Sequence, residues 1–176
     1  MPESQQPEEG IEIILQNILK SPGANVLDIG AGEGKWGKSL RGKVNLIDGV
    51  EIWMPYIIKF RLDDYYDNLF NVDMLKIDYS QKKYDIMILG DVLEHLTYEN
   101  AILFMEEAQK HIDTIYLSIP ISLCVQNGTS TGNPYEEHLY QWEDEQLQKL
   151  FGFELIHTGF NPNGLVKIGT YVWKKK

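Results

Sequence analysis

The chain has 176 residues and a formal charge of −10, with 16 Lys and Arg against 26 Asp and Glu. This length fits one domain that buries about 70% of its unfolded surface without disulfide or metal support. The negative charge disfavours nucleic acid and anionic membrane as partners. A single cysteine, Cys124, excludes an intrachain disulfide and favours a reducing, cytoplasmic setting. The acidic, polar start does not match a secretory signal, and we expect no membrane span.

Predicted helices and strands alternate along the chain, after an amphipathic helix at residues 8–20. The apolar residues of this helix recur at helical spacing, at Ile11, Ile14, Leu15, Ile18 and Leu19. The predicted strands are Asn25–Ile29, Val44–Val50, Leu69–Val72, Tyr84–Leu89, Thr114–Ile119, Phe153–Thr158 and Leu165–Trp173. Further helices are predicted at Lys35–Leu40, Met54–Phe60, Tyr98–His111 and Glu143–Phe151. This alternation is typical of parallel βαβ units, so we predict an α/β fold with an open, doubly wound sheet.

The last two strands are expected to form an antiparallel hairpin at the sheet edge. No helical pattern fits between Phe153 and Trp173, and turn residues at 161–164 separate the two strands. The whole chain, residues 1–176, is therefore predicted to be one domain.

The most informative segment is VLDIGAGEGKWG at residues 26–37, in which an apolar strand runs into three glycines. Glycines at this spacing let the backbone turn sharply and approach a ligand at the carboxyl end of the first strand. A phosphate-binding GxxxxGK[ST] loop does not fit, because Gly30 and Gly34 are too close and Trp36 stands where Ser or Thr should bind magnesium. A dinucleotide-binding GxGxxG fits only from Gly32, two residues late relative to the strand.

With Asp28 included, VLDIGAGEG resembles the first motif of the class I S-adenosylmethionine (SAM)-dependent methyltransferases, in which a strand ending in an acid runs into GxGxG. The resemblance extends over residues 24–173. It implies a Rossmann-like sheet of seven strands in the order 3-2-1-4-5-7-6, mostly parallel with a C-terminal antiparallel hairpin. It also implies SAM as cofactor and S-adenosylhomocysteine (SAH) as product. The cofactor-binding residues implied at this motif are Asp28, Gly30, Ala31, Gly32 and Gly34.

Two further motifs of that family follow in the expected order. An acid at the end of the second strand binds the ribose hydroxyls, and the resemblance places it at Glu51, beside Ile52 as an apolar wall; Asp48 is the rival. An acid after the third strand, Asp73, would meet the adenine amino group, with Met74 beside the ring. Acidic side chains suit a ligand that carries a sulfonium, an ammonium and hydroxyl groups but no phosphate.

The turn after the fourth strand, GDVLEHL, matches the family's D-x-x-E-H pattern, which implies that Asp91, Val92 and His95 line the cofactor site. For His95 three roles are open: support of the turn, a general base, or a metal ligand together with Asp91. The methyl group of a sulfonium is already activated, so alignment and exclusion of water suffice and no metal is needed.

Two polar segments outside the regular elements are also interpreted. Residues 121–141 form a long connection after the fifth strand, and we predict that they cover the acceptor together with the N-terminal helix at residues 11–19. His138 in this connection is the candidate catalytic base, because imidazole titrates near neutral pH. Its alternative role is to cap the next helix. The acidic and aromatic run at residues 63–67 is interpreted as a solvated surface, and the alternative is that its tyrosines help to roof the acceptor site.

These motifs favour a SAM-dependent methyltransferase that moves a methyl group directly to an unidentified acceptor, with a small molecule preferred over nucleic acid. The alternatives are an NAD(P)-dependent oxidoreductase of similar topology and a SAM-binding module without turnover. Because one fold serves carbon, nitrogen and oxygen acceptors, the sequence leaves the acceptor and the oligomeric state open.

Overall fold

Seven strands form one sheet in the computed structural model, in the order β3-β2-β1-β4-β5-β7-β6. The structure describes residues 7–128 and 132–176. The strands are β1 (Asn25–Ile29), β2 (Leu46–Val50), β3 (Asn68–Phe70), β4 (Ile86–Gly90), β5 (Thr114–Pro120), β6 (Glu154–Phe160) and β7 (Lys167–Lys174). Strands β1 to β5 pair in parallel, whereas β7 is antiparallel to both β5 and β6. The predicted fold class and strand order are confirmed.

The helices begin and end within one residue of the predicted ranges. Within the described residues they are α1 (Glu8–Leu19), α2 (Lys35–Leu40), α3 (Met54–Phe60), α4 (Tyr98–His111) and α5 (Asp144–Phe151). The side chain of Thr97 accepts a hydrogen bond from the backbone N–H of Asn100 at the start of α4. Gly152, with a φ of 74°, ends α5. None of the helices in the described ranges is both long and apolar enough to cross a membrane.

Apolar side chains cover both faces of the sheet, as buried parallel strands require. On one face, Leu27 of β1 belongs to a cluster with Phe104 of α4 and Leu147 of α5. On the other face, Val26 belongs to a second cluster with Ile14 of α1. Successive residues of β1 therefore point to opposite layers, and the sheet is doubly wound.

Helix α1 packs on one face of the sheet and does not line the cavity, so the structure gives no support to its predicted place over the acceptor. Its buried residues Ile14 and Ile18 belong to the same apolar cluster as Val26 and Tyr116 on the sheet. No residue of α1, which is described along its whole length, lines the cavity at the carboxyl ends of the strands. The apolar stripe that predicted this helix is used to close the core.

Asp48 is buried in the middle of β2, where its carboxylate binds β3 and the segment before β4. Its Oδ1 accepts hydrogen bonds from the backbone and side-chain nitrogens of Asn68, at 3.1 and 2.8 Å. Its Oδ2 accepts from Lys82 Nζ and from the Tyr84 hydroxyl, both at 2.6 Å. Asp48 does not line the cavity, so its carboxylate serves the sheet and not a ligand there.

We expect Asp48→Ala to lower the free energy of unfolding by about 1–3 kcal/mol, because it leaves Tyr84 and Asn68 donors without their acceptor. The partly exposed Lys82 should contribute little of this loss. Asp63→Ala, at an exposed acid, is the control and should change stability by less than about 0.5 kcal/mol. Urea denaturation measures the free energy of unfolding of both variants. An Asp48→Ala variant as stable as Asp63→Ala would contradict the role assigned to Asp48.

Candidate functional site

A cavity of about 360 Å³ lies at the carboxyl ends of the central strands. Its walls come from the turns after β1, β2, β3 and β4 and from the segment after β5, where doubly wound sheets bind ligands. The predicted site residues that line it are Gly30, Ala31, Gly32, Glu51, Ile52, Asp73, Met74, Asp91, Val92, His95 and His138. Asp28 and Gly34 lie outside this lining.

The turn after β1 requires glycine for both conformation and space. Gly30 and Gly32 have positive φ values of 72° and 53°. A Cβ on Gly30 would lie 2.6 Å from Val92 Cγ2, so no side chain fits between the turns after β1 and β4. The backbone N–H groups of Gly30 and Ala31 both donate to the carbonyl of Val50, each at 2.9 Å. The glycine turn is therefore held against the end of β2.

Glu51, the first residue after β2, also holds this turn. Its Oε2 accepts the N–H of Gly32 at 2.9 Å and its Oε1 accepts the N–H of Trp53 at 2.7 Å. Burial raises the pKa of Glu51, and these two hydrogen bonds oppose the rise. A carboxylate oxygen can accept more than one hydrogen bond, so both oxygens retain acceptor capacity toward the cavity.

Asp28 and Gly34 support the glycine turn from outside the cavity. Asp28 is 1% exposed, and its Oδ2 accepts a hydrogen bond of 2.5 Å from the Tyr66 hydroxyl, whose oxygen accepts the N–H of Gly37 at 3.3 Å. Gly34 has a φ of 78° at the start of α2 and donates its N–H to Ala31 at 2.8 Å. The contacts of both residues support the glycine turn, and their predicted direct contact with the cofactor stays a prediction.

Tyr66 corrects the interpretation of residues 63–67 as a solvated surface. Its ring is buried under the glycine turn and its hydroxyl is bonded to Asp28, whereas Asp63, Asp64 and Asp67 are exposed. The acidic composition of the run predicts that all of it is exposed to solvent. The sequence signal for a buried residue was the aromatic side chain within the run.

The turns after β3 and β4 complete the inner wall. The side chain of Asp73 accepts the N–H of Leu75 at 3.0 Å and caps the 3₁₀ turn Met74–Lys76. Asp91 has a φ of 56°, which is uncommon for a residue with a side chain and is typical of functional turns. Its N–H donates to Ser118 of β5 at 2.9 Å.

The cavity lining is strongly acidic. The acidic residues are Glu33, Glu51, Asp73, Asp91, Glu94, Glu136 and Glu137. Lys35 is the only lysine or arginine among the described lining residues. Burial lowers the pKa of Lys35, and the nearby carboxylates of Asp91 and Asp28 oppose this change. Sequence reasoning missed Lys35 and Glu136; the signal for Lys35 is its position directly after the last glycine of the turn.

The outer wall is the segment after β5, which is tied to the turn after β4. The N–H groups of Leu139 and Tyr140 donate to the carbonyl of Glu94 at 2.9 and 3.2 Å, and His138 donates its N–H to Gln126 at 3.1 Å. Residues 129–131 of the predicted acceptor cover lie outside the described residues. Gln126 and residues 133–139 line the cavity.

A family profile described as a methyltransferase domain matches residues 4–158, which is most of the sequence. The chain belongs to this methyltransferase-domain family. No curated protein sequence matches it significantly.

Solved structures with the same fold include several methyltransferases. The N-terminal domain of EvdMO1, in the presence of SAH and D-fucose, is 16% identical with a TM-score of 0.70 and covers 97% of this chain and 84% of that chain. Magnesium protoporphyrin IX methyltransferase (ChlM) from Synechocystis PCC 6803, with bound SAH, is 19% identical with a TM-score of 0.68, covering 96% and 84%. The small RNA methyltransferase HEN1 is 18% identical with a TM-score of 0.70, covering 100% and 26%. At these identities the similarity establishes the fold.

Asp28 should make the stability of the methyltransferase domain depend on pH. Burial raises its pKa from 3.8 to about 7, with Glu51 adding to the rise and Tyr66 and Lys35 opposing it. A carboxyl group whose pKa is raised in the folded state stabilises that state at low pH, and this contribution is lost as pH rises from about 4 to about 7.

In Asp28→Asn, which keeps an acceptor for Tyr66, this contribution should be absent. The free energy of unfolding of the wild type, relative to that of Asp28→Asn, should therefore fall across this pH range. Urea denaturation at several pH values measures it, with Asp63→Asn as the exposed control. Parallel pH profiles of wild type and Asp28→Asn would contradict the burial argument.

Proposed function

We propose that this methyltransferase domain uses SAM to methylate a small-molecule acceptor. The observation that carries the proposal is the position of Glu51, whose buried carboxylate is bonded to the glycine turn and still faces the cavity. A carboxylate at the end of β2 beside a glycine turn suits the two ribose hydroxyls of an adenosine ligand, as charge-assisted hydrogen bonds.

The residues around the cavity fit SAM in three respects. The positive φ values of Gly30 and Gly32 let the backbone approach a ligand without an intervening side chain. Ile52 and the largely buried Met74 offer apolar walls for adenine, and Asp73 offers an acceptor for its amino group. The acidic lining favours the sulfonium and ammonium charges. When bound, SAM supplies an activated methyl group, which a nucleophile takes as the carbon–sulfur bond breaks and SAH is left.

The same lining argues against a nicotinamide dinucleotide. A pyrophosphate needs donors or positive charge, but the described lining carries seven acids and the single lysine Lys35. Lys35 is half-buried beside Asp91 and is more suited to a single carboxylate, such as that of the methionine part of SAM.

A small acceptor is supported by the size and charge of the cavity. About 360 Å³ lies at the lower end of the range for small-ligand sites, and part of this volume is needed for the cofactor. Glu136 and Glu137 on the outer wall would repel a nucleic-acid backbone. The acceptor would enter between this wall and the turn after β4, where the main task of the protein is to align the nucleophile and exclude water.

We expect SAH to bind the purified protein and NAD to show no binding in calorimetric titration. Glu51→Ala should weaken SAH binding by about one to two decades, because charge-assisted hydrogen bonds contribute about 1.5–3 kcal/mol. This substitution also removes the acceptor of the Gly32 and Trp53 N–H groups, and the loss of these hydrogen bonds should weaken SAH binding further.

The matched control is Asp48→Ala, at a buried acid in β2, three residues before Glu51, that does not line the cavity. It should bind SAH within about twofold of the wild type while being less stable. NAD binding without SAH binding would overturn the proposed cofactor, and a larger loss of affinity in Asp48→Ala would overturn the role of Glu51.

A further inference from the structure

Three side chains that can ligate metals converge at the outer wall of the cavity. One ligand atom from each of Glu94, His95 and His138 lies within 4.8 Å of the other two. Glu94 and His95 belong to the 3₁₀ turn after β4, and His138 belongs to the segment after β5. Backbone hydrogen bonds from Leu139 and Tyr140 to the carbonyl of Glu94 hold the two segments together.

The carboxylate of Glu94 lacks the partners that a buried charge requires. Glu94 is 2% exposed, and neither of its oxygens has a hydrogen-bond partner in another of the described residues. Burial raises its pKa well above the usual range, and the nearby carboxylates of Asp91 and Glu136 raise it further. An isolated buried carboxylate is costly, whereas one that ligates a cation is compensated.

Both histidines are oriented as metal ligands usually are. His138 Nδ1 lies 2.7 Å from the carbonyl oxygen of Cys124, and His95 Nδ1 lies 3.0 Å from that of Glu137. A carbonyl can only accept, so each Nδ1 carries the proton, and in the neutral ring Nε2 keeps a lone pair for a ligand. The ring of His95 also interacts with the backbone of Asp91, in the same turn. Burial lowers the pKa of both rings, which favours the neutral form that binds metal.

We propose that Glu94, His95 and His138 bind a divalent transition-metal ion, such as Mn²⁺, Co²⁺ or Zn²⁺. Two imidazole nitrogens and one carboxylate oxygen suit these ions, whereas Mg²⁺ prefers oxygen ligands. Metal–ligand bonds of about 2.0–2.2 Å require the ligand atoms to move closer by about 1 Å. The sequence motif had suggested Asp91 as the partner of His95 in such a site, but the geometry selects Glu94 and His138.

The metal site also suggests the class of acceptor, a step that rests on the proposed function. Three protein ligands leave coordination positions open, and the site shares the cavity with Glu51 and the glycine turn. An acceptor with an oxygen atom, such as a hydroxyl group, would fill an open position and become more acidic there. His138 would then hold the ion, which replaces its predicted role as the general base.

Titration of the metal-free protein with Co²⁺ and Mn²⁺ tests the site. Visible absorption of Co²⁺ and electron paramagnetic resonance of Mn²⁺ should report one ion per chain. Glu94→Gln and His138→Ala should each weaken binding by more than about tenfold. The control is His111→Ala, at a histidine whose Nε2 lies 3.0 Å from Glu107 Oε1 on the surface of α4, and it should bind as the wild type does.

Thermal unfolding provides a second measurement on the same proteins. Added metal should raise the melting temperature of the wild type and of His111→Ala, but not that of Glu94→Gln. Metal-free Glu94→Gln should melt near the wild type, because a neutral amide of the same size replaces a buried carboxyl group whose raised pKa already favours its neutral form. If Glu94→Gln does not fold, His138→Ala still tests the site, because His138 is only half-buried.

The proposal is overturned if the wild type binds neither ion, if Glu94→Gln and His138→Ala bind as tightly as the wild type, or if His111→Ala abolishes binding. Calorimetry with SAH in the presence of EDTA separates this result from the proposed function. Metal binding without SAH binding would contradict the proposed function and leave the metal site intact. SAH binding without metal binding would contradict the metal site alone.

Discussion

The carboxylate of Glu51 joins the two turns on which the cavity depends. It accepts the N–H of Gly32 in the turn after β1 and that of Trp53 in the turn after β2, while Gly30 and Ala31 donate to Val50 at the end of β2. Parallel strands bring these turns to one edge of the sheet, but only such cross-bonds fix a glycine-rich backbone in one conformation. In the proposed cofactor site, Glu51 would therefore bind the cofactor and also hold the glycine turn in place.

A second buried acid, Asp28, supports the glycine turn from the side that faces away from the cavity. Asp28 points into the layer of α2, where the Tyr66 hydroxyl links it to the N–H of Gly37. Above the turn, acidic side chains dominate the cavity, and Lys35 is the single cation among the described lining residues. A site with this negative charge favours cationic ligands and metal ions over phosphates, which agrees with a sulfonium cofactor and with a metal ion at Glu94.

Much of the fold follows from local patterns that the sequence carries without ambiguity. The alternation of strands and helices and the turn at residues 161–164 predict the sheet and its hairpin, and Gly30, Glu51 and Asp91 predict where the cavity lies. Tyr66 and the pairing of Glu94 with His138 could not be predicted in this way, because they depend on contacts between distant segments. The apolar stripe of α1 showed that one face is buried but not against which surface; in the structure this face packs on the sheet, which does not support its predicted place over the acceptor.

The most direct test of the account is a crystal structure of the protein with SAH. We predict that both ribose hydroxyls lie within hydrogen-bond distance of the Glu51 carboxylate. The sulfur should face the outer wall formed by the turn after β4 and residues 133–139. SAH bound with its ribose away from Glu51, or bound outside this cavity, would contradict the account.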